Sequence, residues 1–300
     1  MDTVIRTAEL AKFYGKLCGV VDLNLEVQQG EVFGFLGPNG AGKTTTIRML
    51  LDLIRATRGS ATVFGMDIRR QSRDIRRRTG YVLGEMALYD NMTGAEFLRY
   101  IAHLRGGTEW ASIQSLAERL KSDLSQPIRT LSRGNRQKIG LIQAFAHRPD
   151  LLILDEPGSG LDPLMQHELH HLIDEARGEG RTVFLSSHNL PEVERVCDRV
   201  GIIREGRLIV VEDVAALKDR ALRHVEIRFG APVSEDVFLG VPGVSGLKLE
   251  NNTLRCTVMG SLDAVIKAAA VFPVVDLISH EPSLEDVFMA YYGRGEEHAE

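Results

Sequence analysis

Eight consecutive residues, Gly37-Pro38-Asn39-Gly40-Ala41-Gly42-Lys43-Thr44, restrict what this chain can fold into more than any other stretch. They follow an apolar run, Glu31 to Leu36, and precede a helical pattern from Thr45 to Leu53, which makes a strand, a loop and a helix. Glycines let the backbone turn its N–H groups towards β- and γ-phosphates at a helix N-terminus. Lys43 adds a point charge, and the Thr44 hydroxyl reaches Mg²⁺. The predicted phosphate site is therefore Gly37, Pro38, Asn39, Gly40, Ala41, Gly42, Lys43, Thr44 and Thr45.

Further short apolar runs, Tyr81 to Leu83, Leu151 to Leu154 and Thr182 to Leu185, alternate with helical patterns. That layout predicts an α/β sheet with ligands at the strand C-termini. The run Leu151 to Leu154 ends in Asp155-Glu156, which delivers one carboxylate to the metal and the next to the attacking water. Between about Asn91 and His147 the strand signal disappears, and Thr93-Gly94-Ala95-Glu96 reads as a capping box. This stretch is read as an inserted helical subdomain, about 86–147.

A hairpin signal at Glu205-Gly206 and a short helix from Asp213 to about Leu222 close the first domain, 1–222. The pattern then reads strand Val225 to Phe229, helix Ser234 to Leu239, strands Leu247 to Leu249 and Leu254 to Val258 around Asn251-Asn252, helix Leu262 to Val271 and strand Val274 to Ser279. This βαββαβ order predicts a small α+β, ferredoxin-like accessory domain over 223–293, with a last helix capped at Ser283 and a polar tail at 294–300.

With 36 basic and 41 acidic residues the formal charge is −5, so no global positive field argues for nucleic acid. The arginines at 69, 70, 73, 76, 77 and 78 lack interleaved aromatics and read as a solvated helix face. Cys18, Cys197 and Cys256 match no zinc spacing and suit a reducing, cytoplasmic compartment. The apolar run near Val265 to Val275 is interrupted by Lys267 and is too short for a bilayer, and no signal peptide is read at Met1 to Gly15. Any membrane role must come through a partner. His167-Glu168-Leu169-His170-His171 fits a zinc-protease pattern, but it lacks an evident third ligand, so no zinc is expected.

The ordered motifs over residues 1 to about 220 resemble the ATPase subunit of an ATP-binding cassette (ABC) transporter. Leu131-Ser132-Arg133-Gly134-Asn135 is similar to the family signature Leu-Ser-Gly-Gly-Gln; it keeps Ser132 and Gly134 and departs at Arg133 and Asn135. The resemblance implies that Ser132 and Gly134 face the γ-phosphate held by a second nucleotide-binding subunit, which would form a homodimer or a heterodimer. It implies further that Asp155 holds Mg²⁺, Glu156 orients the water, and His188 contacts the γ-phosphate. Tyr14 would stack on adenine, and Asp162, in Ser159-Gly160-Leu161-Asp162, would communicate between sites.

Where the family has a glutamine, this chain reads Gly84-Glu85; Glu85 substituting in part as a metal ligand, or an extra water, are the two expectations. The segment Glu281 to Phe288 resembles the extension of bacterial ATPases that energise exporters of drugs, antibiotics or other hydrophobic compounds. The implied partner is a separate integral membrane permease, with the chain peripheral on the inner face of the cell membrane. The alternative reading is a soluble ABC-type ATPase that acts on ribosomes or DNA.

Overall fold

The computed structural model describes residues 2–84, 88–220 and 222–280. Glu85 lies outside the described residues, as do the helix expected from Ser283, the segment Glu281 to Phe288 and the tail at 294–300. The chain divides into two compact units at Val211/Glu212. The sequence-based boundary at 222 assigns the short helix Val214–Arg220 to the first unit, whereas the observed division assigns it to the second.

In the first unit the elements are β1 (Thr3–Tyr14), β2 (Leu17–Gln28), β3 (Val32–Leu36), α1 (Lys43–Leu50), β4 (Arg58–Val63), β5 (Met66–Asp67), α2 (Ser72–Arg77) and β6 (Thr79–Val82). There follow α3 (Gly94–Leu104), α4 (Trp110–Arg119), α5 (Arg133–Phe145), β7 (Leu151–Asp155), α6 (Pro163–Gly178), β8 (Thr182–Ser187), α7 (Leu190–Val196), β9 (Arg199–Arg204) and β10 (Arg207–Asp213). Six strands form one sheet in the order β10-β9-β3-β8-β7-β6, with β9 through β6 parallel to one another. Every residue of β3, β7 and β8 is buried, as expected for parallel strands covered on both faces.

Phe33 and Phe184 stack across β3 and β8 with centroids 5.8 Å apart, and Phe35 tilts onto Phe184 at 5.5 Å. Each ring contributes about 2–3 kcal/mol by leaving water. This core fixes the sheet, and the register Leu36↔Ser187 and Asp155↔Ser186 then brings three loops to one sheet end. A second, antiparallel sheet in the order β2-β1-β4-β5 shares the same core through Leu10, Leu23 and Leu25.

Helices α3, α4 and α5 occupy the strand-free stretch. The expected capping box opens α3, where the Thr93 hydroxyl accepts from Glu96 N at 3.2 Å and the Glu96 carboxylate accepts from Thr93 N at 2.8 Å. Helix α5 is buried from Gln137 to Phe145 and lies close against β6: a Cβ on Gly80 would stand 2.1 Å from the Ala144 carbonyl oxygen.

The second unit comprises α8 (Val214–Arg220), β11 (Leu222–Phe229), β12 (Val244–Glu250), β13 (Thr253–Met259), α9 (Asp263–Ala269) and β14 (Val274–His280). Its sheet runs β12-β13-β11-β14 with antiparallel neighbours, the ferredoxin-like strand order. Its core gathers Val225, Ile227, Phe229, Phe238, Leu254 and Val265. One expectation needs correction: the helix at Ser234 to Leu239 is a three-residue 3₁₀ turn, Glu235–Val237. Gly240 and Pro242 follow so closely that no longer helix can propagate.

Candidate active site

The phosphate loop turns between β3 and α1. Gly42 caps α1 at φ +110°, a backbone conformation that side chains with a Cβ rarely adopt, and a Cβ there would also stand 2.6 Å from the Gly19 carbonyl oxygen. The α1 N-terminus thereby offers its first N–H groups and its positive dipole end to an anion. Lys43 is 5% exposed; its Nζ donates to Gly37 O at 2.6 Å and Pro38 O at 3.2 Å, and lies 3.2 Å from Glu156 Oε1.

Asp155 is wholly buried at the end of β7. Thr44 Oγ1 donates to its Oδ2 at 2.7 Å, and Ser186 Oγ donates to its Oδ1 at 2.5 Å. Hydroxyl and carboxylate oxygens together suit a hard cation such as Mg²⁺, so the residues fit the metal that the motif implies. A Cβ on Gly84 would stand 3.6 Å from Asp155 Oδ2, so position 84 borders this carboxylate and brings no side chain to it.

Glu156 follows the strand, and its φ of +51° turns the second carboxylate out of the sheet. Its N–H is shared between Ser186 O at 3.1 Å and Ser186 Oγ at 3.2 Å. Glu156 Oε2 meets His188 Nδ1 at 2.5 Å, so one carboxylate bridges Lys43 and His188. Behind His188, Ser187 Oγ donates to Glu192 Oε2 at 2.7 Å, and burial pushes the Glu192 carboxyl above its ordinary range. No sequence motif marks Ser186 or Glu192. The register pair Asp155↔Ser186 is the signal for the serine, and it is visible only once the parallel pairing is known.

Tyr14 ends β1, 47% exposed, with the Lys12 ammonium 5.1 Å from its ring centroid. A Cβ on Gly19 would stand 3.0 Å from the Tyr14 ring, and one on Gly42 2.6 Å from the Gly19 carbonyl oxygen, so Gly19 links the tyrosine to the phosphate loop. Ser132 N-caps α5 by accepting from Asn135 N at 3.3 Å, and Asp162 N-caps α6 by accepting from Met165 N at 3.0 Å. Gly134 packs on the loop before α6: a Cβ there would stand 2.4 Å from the Gly160 carbonyl oxygen.

The zinc-protease pattern folds into α6. His167 and His171 pack edge to face at 4.5 Å, Glu168 accepts from Arg119 Nε at 2.6 Å, and among the described residues no group of three His, Cys, Asp or Glu side chains is placed to hold a metal. Of the arginine run, Arg76 donates to Leu51 O at 2.8 Å, while Arg78 pairs with Asp150 at 2.7 Å and covers Phe64.

A parallel core sheet with a glycine-lined phosphate loop, a buried Asp155, an adjoining Glu156 and an inserted helical subdomain defines a phosphate-loop ATPase. The chain belongs to the ABC transporter family, as an ATP-binding, ATP-hydrolysing subunit: residues 20–159 match the family model described as "ABC transporter". It is 40% identical over 231 residues to the bacitracin transport ATP-binding protein BcrA of Bacillus licheniformis, covering 76% of each chain. It is 39% identical over 213 residues to the probable multidrug ABC transporter ATP-binding protein YbhF of Escherichia coli, covering 69% of this chain and 37% of that one. A solved ATP-binding subunit of an ABC transporter superposes with a TM-score of 0.66 at 31% identity, over 72% of this chain and 92% of that one. Among the described residues no helix is long and apolar enough to cross a membrane.

Proposed function

We propose that this chain powers a separate membrane permease that exports a drug, antibiotic or other hydrophobic compound, and that it works from the inner face of the cell membrane. The observation that carries the chemistry is the bridging of Lys43 and His188 by Glu156 beside the Thr44–Asp155 pair. The bacitracin and multidrug relatives support the class of cargo.

ATP phosphates compete with Gly37 O, Pro38 O and Glu156 for the Lys43 ammonium, and Tyr14 stacks on the base. Thr44 and Asp155 would hold Mg²⁺, with Glu85 or an extra water standing in for the side chain that Gly84 lacks. When bound, the metal neutralises charge that develops on the phosphoryl oxygens. Glu156, once separated from Lys43, orients a water towards the γ-phosphorus, and His188 holds the γ-phosphate from the end of the neighbouring strand β8. Ser132 and Gly134 serve the nucleotide of a second subunit, and Asp162, at the start of α6, would communicate between the two sites.

Co-purification with a membrane permease tests the assembly; association with ribosomes instead would favour the soluble alternative. For the chemistry, Glu156→Gln should bind ATP, stop turnover and accumulate a dimer on size exclusion. Hydrolysis at the parent rate would remove Glu156 from this role.

A further inference from the structure

Arg133 occupies the third position of the signature, and its side chain makes a contact that a glycine could not. Its Nη2 donates to Ser159 Oγ at 2.9 Å, and its Cγ would stand 3.5 Å from a Cβ on Gly160. One residue on, Gly134 leaves no room for a Cβ against the Gly160 carbonyl. Four residues after Arg133, on the same helix face, Gln137 Nε2 donates to Pro157 O at 3.0 Å. The N-terminal part of α5 is thus tied to residues 157–160 by the Arg133 and Gln137 hydrogen bonds, with Gly134 in close approach between them.

That loop starts at Glu156, and Ser159 N donates to Glu156 O at 3.0 Å. Its near end carries the carboxylate that serves the subunit's own nucleotide, while α5 carries the signature that serves the partner's. We infer that Arg133 is a positioning residue: by clasping Ser159 it makes the signature and the Glu156 loop move as one body, so that each subunit's two half-sites are set together. The inference rests on the two-subunit reading above.

The test compares Arg133→Ala, Ser159→Ala, the double variant and Ser159→Thr in the full-length chain. ATP affinity of the nucleotide-binding step and ATP-driven dimerisation in a Glu156→Gln background are read beside turnover. A clasp predicts that either alanine lowers kcat about three- to tenfold and drives the Hill coefficient for ATP towards one, as expected from one partly solvated, charge-assisted hydrogen bond. The double variant is then no worse than either single one, nucleotide affinity is unchanged, and Ser159→Thr, which keeps the hydroxyl, retains parent behaviour. If Arg133→Ala is impaired while Ser159→Ala is not, the guanidinium acts directly on the partner's phosphate and the clasp is overturned. Parent turnover and cooperativity in both alanine variants overturn it as well. A Glu156→Gln chain that stays monomeric with ATP overturns the two-subunit reading itself, whatever the Arg133 variants do.

Discussion

Replacing Gly134 by alanine should separate activity from stability. The added Cβ would lie 2.4 Å from the Gly160 carbonyl oxygen, where ordinary contact begins at 3.4 Å, so the signature turn and the facing loop must part by about 1 Å. A displacement of that size in a reacting constellation costs on the order of 100-fold in rate, equivalent to about 2.7 kcal/mol of transition-state stabilisation. Folding should register less. Alanine gains up to about 1 kcal/mol over glycine within a helix, which offsets part of the roughly 1–3 kcal/mol of overpacking, so Tm should move by less than about 8 °C. Steady-state phosphate release over an ATP titration measures the first quantity and a thermal melt the second. Turnover at the parent rate with an unchanged melt would refute the spacing argument.

Three further outcomes follow from individual contacts. Burial, and next the neighbouring Arg105 charge, bring the His147 pKa down to about 4, so the unfolded chain binds a proton here that the folded chain refuses. Stability should therefore fall as pH drops through 6.5 towards 4, by on the order of 2–3 kcal/mol, and denaturant melts of His147→Gln should lose that part of the slope. Gly80→Ala should cost about 2–3 kcal/mol, because the Ala144 backbone cannot yield as a flexible side chain would; a melt within 2 °C of the parent would count against the packing described. Tyr14→Ala should raise the KM for ATP severalfold with kcat retained, whereas Tyr14→Phe should not, since the ring face is the proposed contact.

The parts of the site legible in the sequence are those written in consecutive residues. Gly37 to Thr44 and Asp155-Glu156 each sit at the end of a fully buried strand, so motif and secondary structure agree locally. The second unit was legible for a similar reason: Asn251 and Asn252 both take positive φ, the conformation of a tight hairpin turn. The antiparallel sheet of β1, β2, β4 and β5 was not. Glu9 and Asp22 take positive φ, and the β1–β2 register shifts repeatedly, so the alternation that marks a strand loses phase. Ser186 against Asp155 and Arg105 against His147 are meetings across distant segments, which local pattern cannot encode.

The ion pair of Lys43 with Glu156 bears on the choice of control protein for any transport measurement. Removing the lysine is the obvious way to abolish nucleotide binding, but it also strips the ammonium from a carboxylate that is only 20% exposed. That carboxylate would keep its contact with His188 Nδ1 and relax around it. A lysine-deficient chain therefore reports a loss of binding mixed with a rebuilt hydrolytic centre.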